Sequence, residues 1–308
     1  MLRLMSIEFL QADARNLPLE DETVDLIITS PPYFGLRVYT DDGEEIPNQI
    51  GAEDEPDKFI QQLVAATVEM KRVLKPTGSI FVNLGDKYAG SGGHNNKNIG
   101  AEGRGPSNYP KGGARPKSLI GIPWRYAIQC IDQLDLILRS EIIWSKANGM
   151  PESVTDRTRR THEHWFHLTK QGDYYHNLDT IREPHTTKTK INNPKGRIPN
   201  SVWHMPMEPL RLPKEITTGH HAAYPSEWPR KLILAWSPPG GTILDPFGGT
   251  GTTAIVAHHL GRHGISNDLS QDYANIANWR LTDKKLEHRI KTRSTPSTSP
   301  NTNKDKEQ

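Results

Sequence analysis

Val24-Asp25-Leu26-Ile27-Ile28-Thr29-Ser30-Pro31-Pro32-Tyr33 joins a short apolar run to two consecutive prolines, and the fold turns on how it is read. Leu26–Ile28 has the composition of a strand buried on both faces of an α/β sheet. Neither proline can donate to a ladder, so the strand stops there. The Ser30 hydroxyl, the carbonyls of Pro31 and Pro32 and the Tyr33 ring are thereby held at a strand's carboxyl end, the edge of an open sheet where ligands sit. A bare Ser-Pro-Pro-Tyr is usually a turn and no more. A second motif far downstream overturns that plain reading.

Working outward, Ile7-Glu8-Phe9-Leu10 reads as a strand ending at Gln11-Ala12-Asp13, where Asp13 is either a turn-former or a ligand contact. Glu55-Pro56 opens a helix with Phe59, Leu63, Ala66, Met70 and Val73 on one face. Lys75-Pro76-Thr77-Gly78 ends it and Ser79–Leu84 forms the next buried strand, the β–α–β pattern of a parallel sheet. Ile122-Pro123-Trp124 opens a helix reaching about Gln133. Leu136–Trp144 and Glu163–Leu168 read as strands able to pair as a hairpin at the sheet edge, and Ser226 caps a helix to about Trp236.

The second motif is Thr242-Ile243-Leu244-Asp245-Pro246-Phe247-Gly248-Gly249-Thr250-Gly251-Thr252-Thr253-Ala254, a strand, a glycine-rich loop and a helix. The following strand, Gly264–Asp268, ends in an acid. Glycines let backbone approach a ligand closely, and an acid at the next strand tip accepts hydrogen bonds from ribose hydroxyls. The loop lacks both the G-x-G-x-x-G spacing of a pyrophosphate site and the lysine of a P-loop. A ligand with a ribose and an amino-acid moiety, such as S-adenosylmethionine, fits better. Tyr273–Leu281 reads as the last helix and Ser294–Gln308 as a disordered polar tail.

The 308 residues suffice for one large α/β core or two smaller ones. A formal net charge of +2 excludes a global basic field, so any nucleic-acid surface must be local. Two segments qualify. Tyr88–Lys117 is glycine-rich and carries Lys97, Arg104, Lys111, Arg115 and Lys117; it reads equally as a flexible insertion or as a clamp that orders on a phosphate backbone. Gly172–Gly219 is basic and proline-punctuated yet keeps Trp203, which suits a recognition module better than a linker. Lys146, Arg157 and Arg159 lie in a further exposed-looking loop. Cys130 is the only cysteine and falls mid-helix, a packed thiol, so no disulfide framework exists. His162, His164 and His167 lack the acids or cysteines that would complete a metal site. No apolar run approaches membrane-spanning length and no signal peptide is visible, so a soluble, cytoplasmic protein is expected.

From about Phe9 to Leu281 the chain resembles the DNA amino-methyltransferases, which methylate N4 of cytosine or N6 of adenine. Thr29–Tyr33 resembles their catalytic motif in its T-S-P-P-Y form, which implies Ser30, Pro31, Pro32 and Tyr33 as catalytic residues. Asp245–Thr253 resembles the cofactor loop, Asp268 the ribose-binding acid and Asp13 the acid contacting the adenine. Ala223-Tyr224-Pro225 resembles the segment closing over the methionine end. The implied contacts to S-adenosyl-L-methionine are Asp13, Thr29, Tyr224, Pro225, Asp245, Pro246, Phe247, Gly249, Gly251, Thr252 and Asp268. The catalytic motif precedes the cofactor loop, the order of the class called beta. Ser266-Asn267 before Asp268 departs from the usual Ile-Gly type of run.

The resemblance implies a Rossmann-like methyltransferase fold, a seven-stranded, mostly parallel sheet with an inserted, irregular target-recognition region. Residues 1–87 then form the catalytic half, 88–118 a flexible basic insert, and 119–171 the continuation of the methyltransferase domain. Residues 172–219 form the recognition region, 220–283 the cofactor half, and 284–308 a disordered tail. The expected activity is site-specific, direct methylation of a flipped cytosine N4 in double-stranded DNA, with adenine N6 as the alternative. Ser at position 30 resembles the cytosine form, whereas Asp there is usual among adenine enzymes. A cognate restriction endonuclease acting independently is a possible companion, and monomer and dimer both stay open. A protein-glutamine methyltransferase would place an N-P-P-Y motif after the cofactor loop. A nicotinamide enzyme would leave Ser30–Tyr33 idle, and a catalytically dead DNA-binding module would have no need of both motifs.

Overall fold

Leu26, Ile27 and Ile28 are fully buried because their strand is covered by helices on both faces. The computed structural model describes residues 6–35, 40–41, 44–89, 115–149, 152–185, 187, 193–210 and 224–292. In chain order these form β1 (Ile7–Gln11), β2 (Val24–Thr29), a small ribbon of β3 (Thr40–Asp41) and β4 (Glu44–Glu45), α1 (Pro56–Val73) and β5 (Leu74–Leu84). Then come α2 (Ile122–Leu134), β6 (Ile137–Ser145), β7 (His162–Thr169), a 3-10 turn at Leu178–Ile181, β8 (Val202–His204), α3 (Glu227–Trp236) and β9 (Thr242–Asp245). The chain continues through α4 (Thr252–His259), β10 (His263–Asp268), α5 (Gln271–Arg280) and α6 (Lys284–Thr292).

The main sheet runs β1-β10-β9-β2-β5-β7-β6-β8. The first five strands are parallel, and β7 is antiparallel to both β5 and β6, so the expected edge hairpin is present. The first seven strands make the expected mostly parallel sheet. An eighth, β8, comes from the region expected to be irregular and pairs in parallel with β6. Its anchor is aromatic. Trp228 of α3 stacks between Trp165 of β7 and Trp203 of β8, with both pairs of ring centroids 4.8 Å apart. Large planar side chains of this kind dominate core energetics, so Trp203 pins the edge strand to the domain.

One core lies under α1 and α2, built on Phe59, Leu63, Ile80 and Tyr126; the other lies under α3, α4 and α6. Cys130 is buried in the first, and burial pushes its thiol up to about 12, so it is an inert packing group.

Two expectations change. Lys75–Gly78 is not a turn ahead of the strand; it lies within β5 as an irregularity between the pairs Val24–Leu74 and Leu26–Ser79. Gly78 permits it, because a Cβ there would stand 2.6 Å from the Leu74 side chain. The disorder expected from 284 does not hold for Lys284–Thr292, a helix whose Leu286 and Ile290 are buried in the second core. A pattern of two apolar residues four apart is too short to mark a helix by itself. Residues 293–308, Lys97, Arg104 and Lys111 lie outside the described residues. Among the described residues no helix is long and apolar enough to cross a membrane.

Candidate active site

From β2 the chain passes through α1 to β5 on one side, and from β9 through α4 to β10 on the other. The crevice outside the carboxyl ends of β2 and β9 is therefore a topological switch point, where two loops diverge and leave room for a ligand. A cleft of about 1000 Å³, part of it open to solvent, lies there. Its walls come from Ala12–Arg15 after β1, Ser30 and Pro32 after β2, Tyr224, Asp245–Thr250 and Thr252, and Asp268–Leu269 after β10. Ile46, Gln49, Ile50 and Tyr273 complete it.

Asp245 faces inward. Thr29 Oγ1 donates to its Oδ1 at 2.7 Å; Tyr224 Oη at 2.9 Å and Thr253 Oγ1 at 2.7 Å donate to its Oδ2. Burial pushes this carboxyl above its ordinary range, against the pull of those hydroxyls. With every oxygen engaged, Asp245 ties β2, β9, α4 and the segment before α3 together. Asp268 differs. It accepts from the Gly249 and Ser270 amides at 2.9 and 3.0 Å, one on each oxygen, and lines the cleft. Burial raises it to about 6 despite the two amides.

The glycines divide the labour. Gly251 has φ +76, and a Cβ would lie 2.7 Å from Ala277 Cβ, so it permits close packing of the loop on α5. Gly249 has nothing within 4 Å of its would-be Cβ and borders the cleft. That open cradle, backed by a buried carboxylate and flanked by Phe247 and Leu269, fits a nucleoside carrying vicinal hydroxyls. Arg280 buttresses the loop from behind, donating to the Thr250 carbonyl at 2.6 Å and the Thr252 hydroxyl at 2.7 Å.

Asp13 lies at the cleft's lip, where Arg15 grips it through Nε and Nη2 at 2.9 and 2.6 Å. The guanidinium holds that carboxyl below the ordinary carboxylate range. Nothing in the spacing marks Arg15, Gln49 or Tyr273 as lining residues. Thr29, Gly251 and Pro225 stand outside the lining; Thr29 supports it through Asp245 and Gly251 through its packing on α5.

Beside the cleft, Asn83 at the end of β5 collects two donors onto one oxygen, Ser30 Oγ at 3.3 Å and Tyr33 Oη at 2.9 Å. Its own Nδ2 donates to the His164 carbonyl at 3.2 Å, which fixes the amide's orientation. Tyr33 Oη also reaches Glu163 Oε2 at 2.8 Å. Asn83 is invisible in the sequence as a site residue because it sits inside an ordinary strand pattern; Thr161-His162-Glu163 resembles a conserved stretch of the family, but nothing in it gives Glu163 a role at the site.

The basic candidates separate as well. Lys146 is largely buried and bonded to Glu163, so it is no exposed phosphate contact. Arg157 pairs with Glu152 and covers the Tyr88 ring at 3.8 Å, and Lys117 pairs with Asp156. Arg115 and Arg159 are exposed. Among the described residues no cluster could hold a metal. His167 is instead buried against Ser79, where burial pushes it down to about 3, and His164 pairs with Glu141.

A sequence profile of DNA methylases matches residues 24–279. The type II methyltransferase M.SmaI of Serratia marcescens is 38% identical over 284 residues, spanning 90% of this chain and 91% of that protein. Among solved structures, the PvuII DNA methyltransferase (cytosine-N4-specific) aligns with a TM-score of 0.67 at 17% identity, over 94% of this chain and 91% of that one. TTHA0409 of Thermus thermophilus, complexed with S-adenosyl-L-methionine, aligns with a TM-score of 0.57 at 23% identity, over 90% and 93%. At such identities the two structural likenesses speak for the fold.

Proposed function

Because the chain belongs to the DNA methylase family, we propose that this DNA methyltransferase acts on the exocyclic N4 of a cytosine swung out of duplex DNA. The methyl donor is S-adenosyl-L-methionine, which supplies an electrophilic methyl group on a sulfonium. On this reading Asp268 accepts the ribose hydroxyls, and Pro246, Phe247 and Leu269 wall the adenine with Asp13 and Arg15 at its edge. Tyr224 and Thr252 border the opposite end, and Gly249 leaves space for the sugar. Asp245, Thr29, Pro225 and Gly251 hold that shape.

The observation that carries the proposal is the placement of Ser30 on the wall of the same cleft as Asp268, with Asn83 behind it. A base amine is a poor nucleophile because its lone pair is delocalised into the ring. Acceptors for its N–H groups localise that pair, and in-line positioning converts it into an attacking group. The Ser30 hydroxyl spends its proton on the Asn83 oxygen, so its lone pairs are left to accept from the amine. The Pro31 carbonyl is the second acceptor, and the Tyr33 ring offers a face for the flipped base. Ser30 and Asn83 are both neutral, in contrast to an aspartate's full charge, and this favours cytosine over adenine. The exposed Arg115 and Arg159, with Lys97, Arg104 and Lys111, supply phosphate contacts.

The test is to methylate unmodified DNA with the purified enzyme, digest it to nucleosides and weigh them. N4-methyldeoxycytidine is expected. N6-methyldeoxyadenosine alone would assign the site to adenine and show that Ser30 does not select the base.

A further inference from the structure

Tyr33 projects from a Pro-Pro turn, yet a ring that receives a base must be held still. Three contacts do this. Against the ring lies Gly85, where a Cβ would stand 2.7 Å from Tyr33 Cε2 and 3.4 Å from Cζ, so only a residue without a side chain lets the ring pack this close to the backbone. At its tip the hydroxyl lies 2.9 Å from Asn83 Oδ1 and 2.8 Å from Glu163 Oε2, two acceptors that share its single proton. Glu163 is itself gripped by Lys146, whose ammonium sits 4.3 Å over the Trp144 ring; the Glu163 and Lys146 side chains are only 12% and 17% exposed. A carboxylate so enclosed is costly unless paired, and Lys146 is the charge that keeps it an acceptor.

We propose that Glu163 is the positioning residue of the base platform, with Lys146 its counter-ion: together they lock Tyr33 by its hydroxyl so that the ring is held in place to receive the flipped base. This rests on the reading of Tyr33 as that platform. It also gives Lys146 a different role from the DNA-backbone contact its loop position implied. The same strand end meets the recognition segment, since Trp144 Nε1 donates to the Met205 carbonyl at 2.8 Å and the Met205 amide to Ser145 O at 3.1 Å. The lock therefore stands where recognition strand and chemistry adjoin.

The test is a mutant cycle on the full-length enzyme, with Tyr33→Phe, Glu163→Ala, their double variant, and Glu163→Gln. Turnover under saturating DNA and the Kd for S-adenosyl-L-methionine are measured for each. Glu163→Ala should lower kcat on the order of 10- to 100-fold, the scale set by small misplacements of reacting groups. Its cofactor Kd should stay within about twofold, since Glu163 is not among the residues lining the cleft. Tyr33→Phe should cost at least as much, and the double variant should be no worse than Tyr33→Phe alone, because loss of the hydroxyl already removes its contact with Glu163. Glu163→Gln, which keeps an acceptor towards Tyr33, should regain part of the loss and serves if Glu163→Ala does not fold. Independent, multiplying losses, or normal turnover in both Glu163 variants, overturn the positioning role. Full activity of Tyr33→Ala would instead overturn the platform reading itself.

Discussion

Thr29 and Asp245 are 216 residues apart in the chain and 2.7 Å apart in the molecule, the hydroxyl that ends β2 donating to the carboxylate that ends β9. That single bond fastens the Ser30–Tyr33 motif to the glycine-rich loop. Thr29→Val keeps the shape and removes the donor, leaving a buried carboxylate one partner short. A loss of roughly 1–3 kcal/mol in stability is expected from an unmet buried charge. Chemical denaturation measures it directly; an unchanged midpoint would mean that Tyr224 and Thr253 suffice.

Asp268 ties cofactor affinity to pH. Its carboxyl is raised to about 6 from an ordinary 3.8. In the free protein folding favours the protonated form, so that contribution to stability is complete below 3.8 and lost as pH rises through about 6. Binding runs the other way, because ribose hydroxyls need an ionised acceptor. Affinity for S-adenosyl-L-methionine should fall below about pH 6, by at most roughly tenfold per pH unit for one proton. Titration calorimetry across that range, with Asp268→Asn as the flat control, decides it; pH-independent affinity in the wild type would separate Asp268 from the ribose.

The two glycines should fail differently. Gly251→Val drives a side chain into Ala277 and Phe9 at a backbone φ of +76. It should cost roughly 2–4 kcal/mol of stability from overpacking and left-handed strain. Gly249→Ala meets no atom within 4 Å, so its penalty should be a smaller strain plus loss of cofactor affinity. Melting curves with and without cofactor distinguish the two, and a well-folded Gly251→Val would disprove the packing account.

Catalysis and cofactor binding should come apart at the Pro-Pro motif. On the proposed reading Tyr33→Ala removes the base platform, Pro31→Ala keeps the carbonyl but frees the backbone that aims it, and neither residue lines the cleft. Each should reduce turnover about 100-fold or more while the cofactor Kd stays near that of the wild type. Methylation at the normal rate by Tyr33→Ala would remove its ring from the site, and by Pro31→Ala would show that the proline's rigidity is not what aims the carbonyl.

On the DNA side, Arg115→Gln with Arg159→Gln should flatten the dependence of log K on log salt by roughly 0.9 for each phosphate no longer neutralised. Lys146→Gln should leave that slope alone and lower turnover, because its ammonium is spent on Glu163. The reverse pattern would return Lys146 to the DNA surface.

Much was legible without coordinates. Apolar runs such as Leu26–Ile28, the prolines that stop β2, and the strand–glycine–helix pattern at Thr242–Ala254 are local, and steric rules operate on them within a few residues. They determined a parallel α/β sheet with two motifs at strand ends. Only the tertiary structure decided which acid is spent and which is offered. Asp245 and Asp268 look alike in sequence, each closing a strand, yet hydroxyls from Thr29, Tyr224 and Thr253 engage one and two backbone amides leave the other open to the cleft. The same holds for Asn83, Glu163 and Lys146, whose partners lie on neighbouring strands, and for Leu286 and Ile290, which form a helix because a core is there to receive them. Sequence sets the local conformation. Long-range packing chooses the partners, and a charged side chain takes its chemistry from its partners.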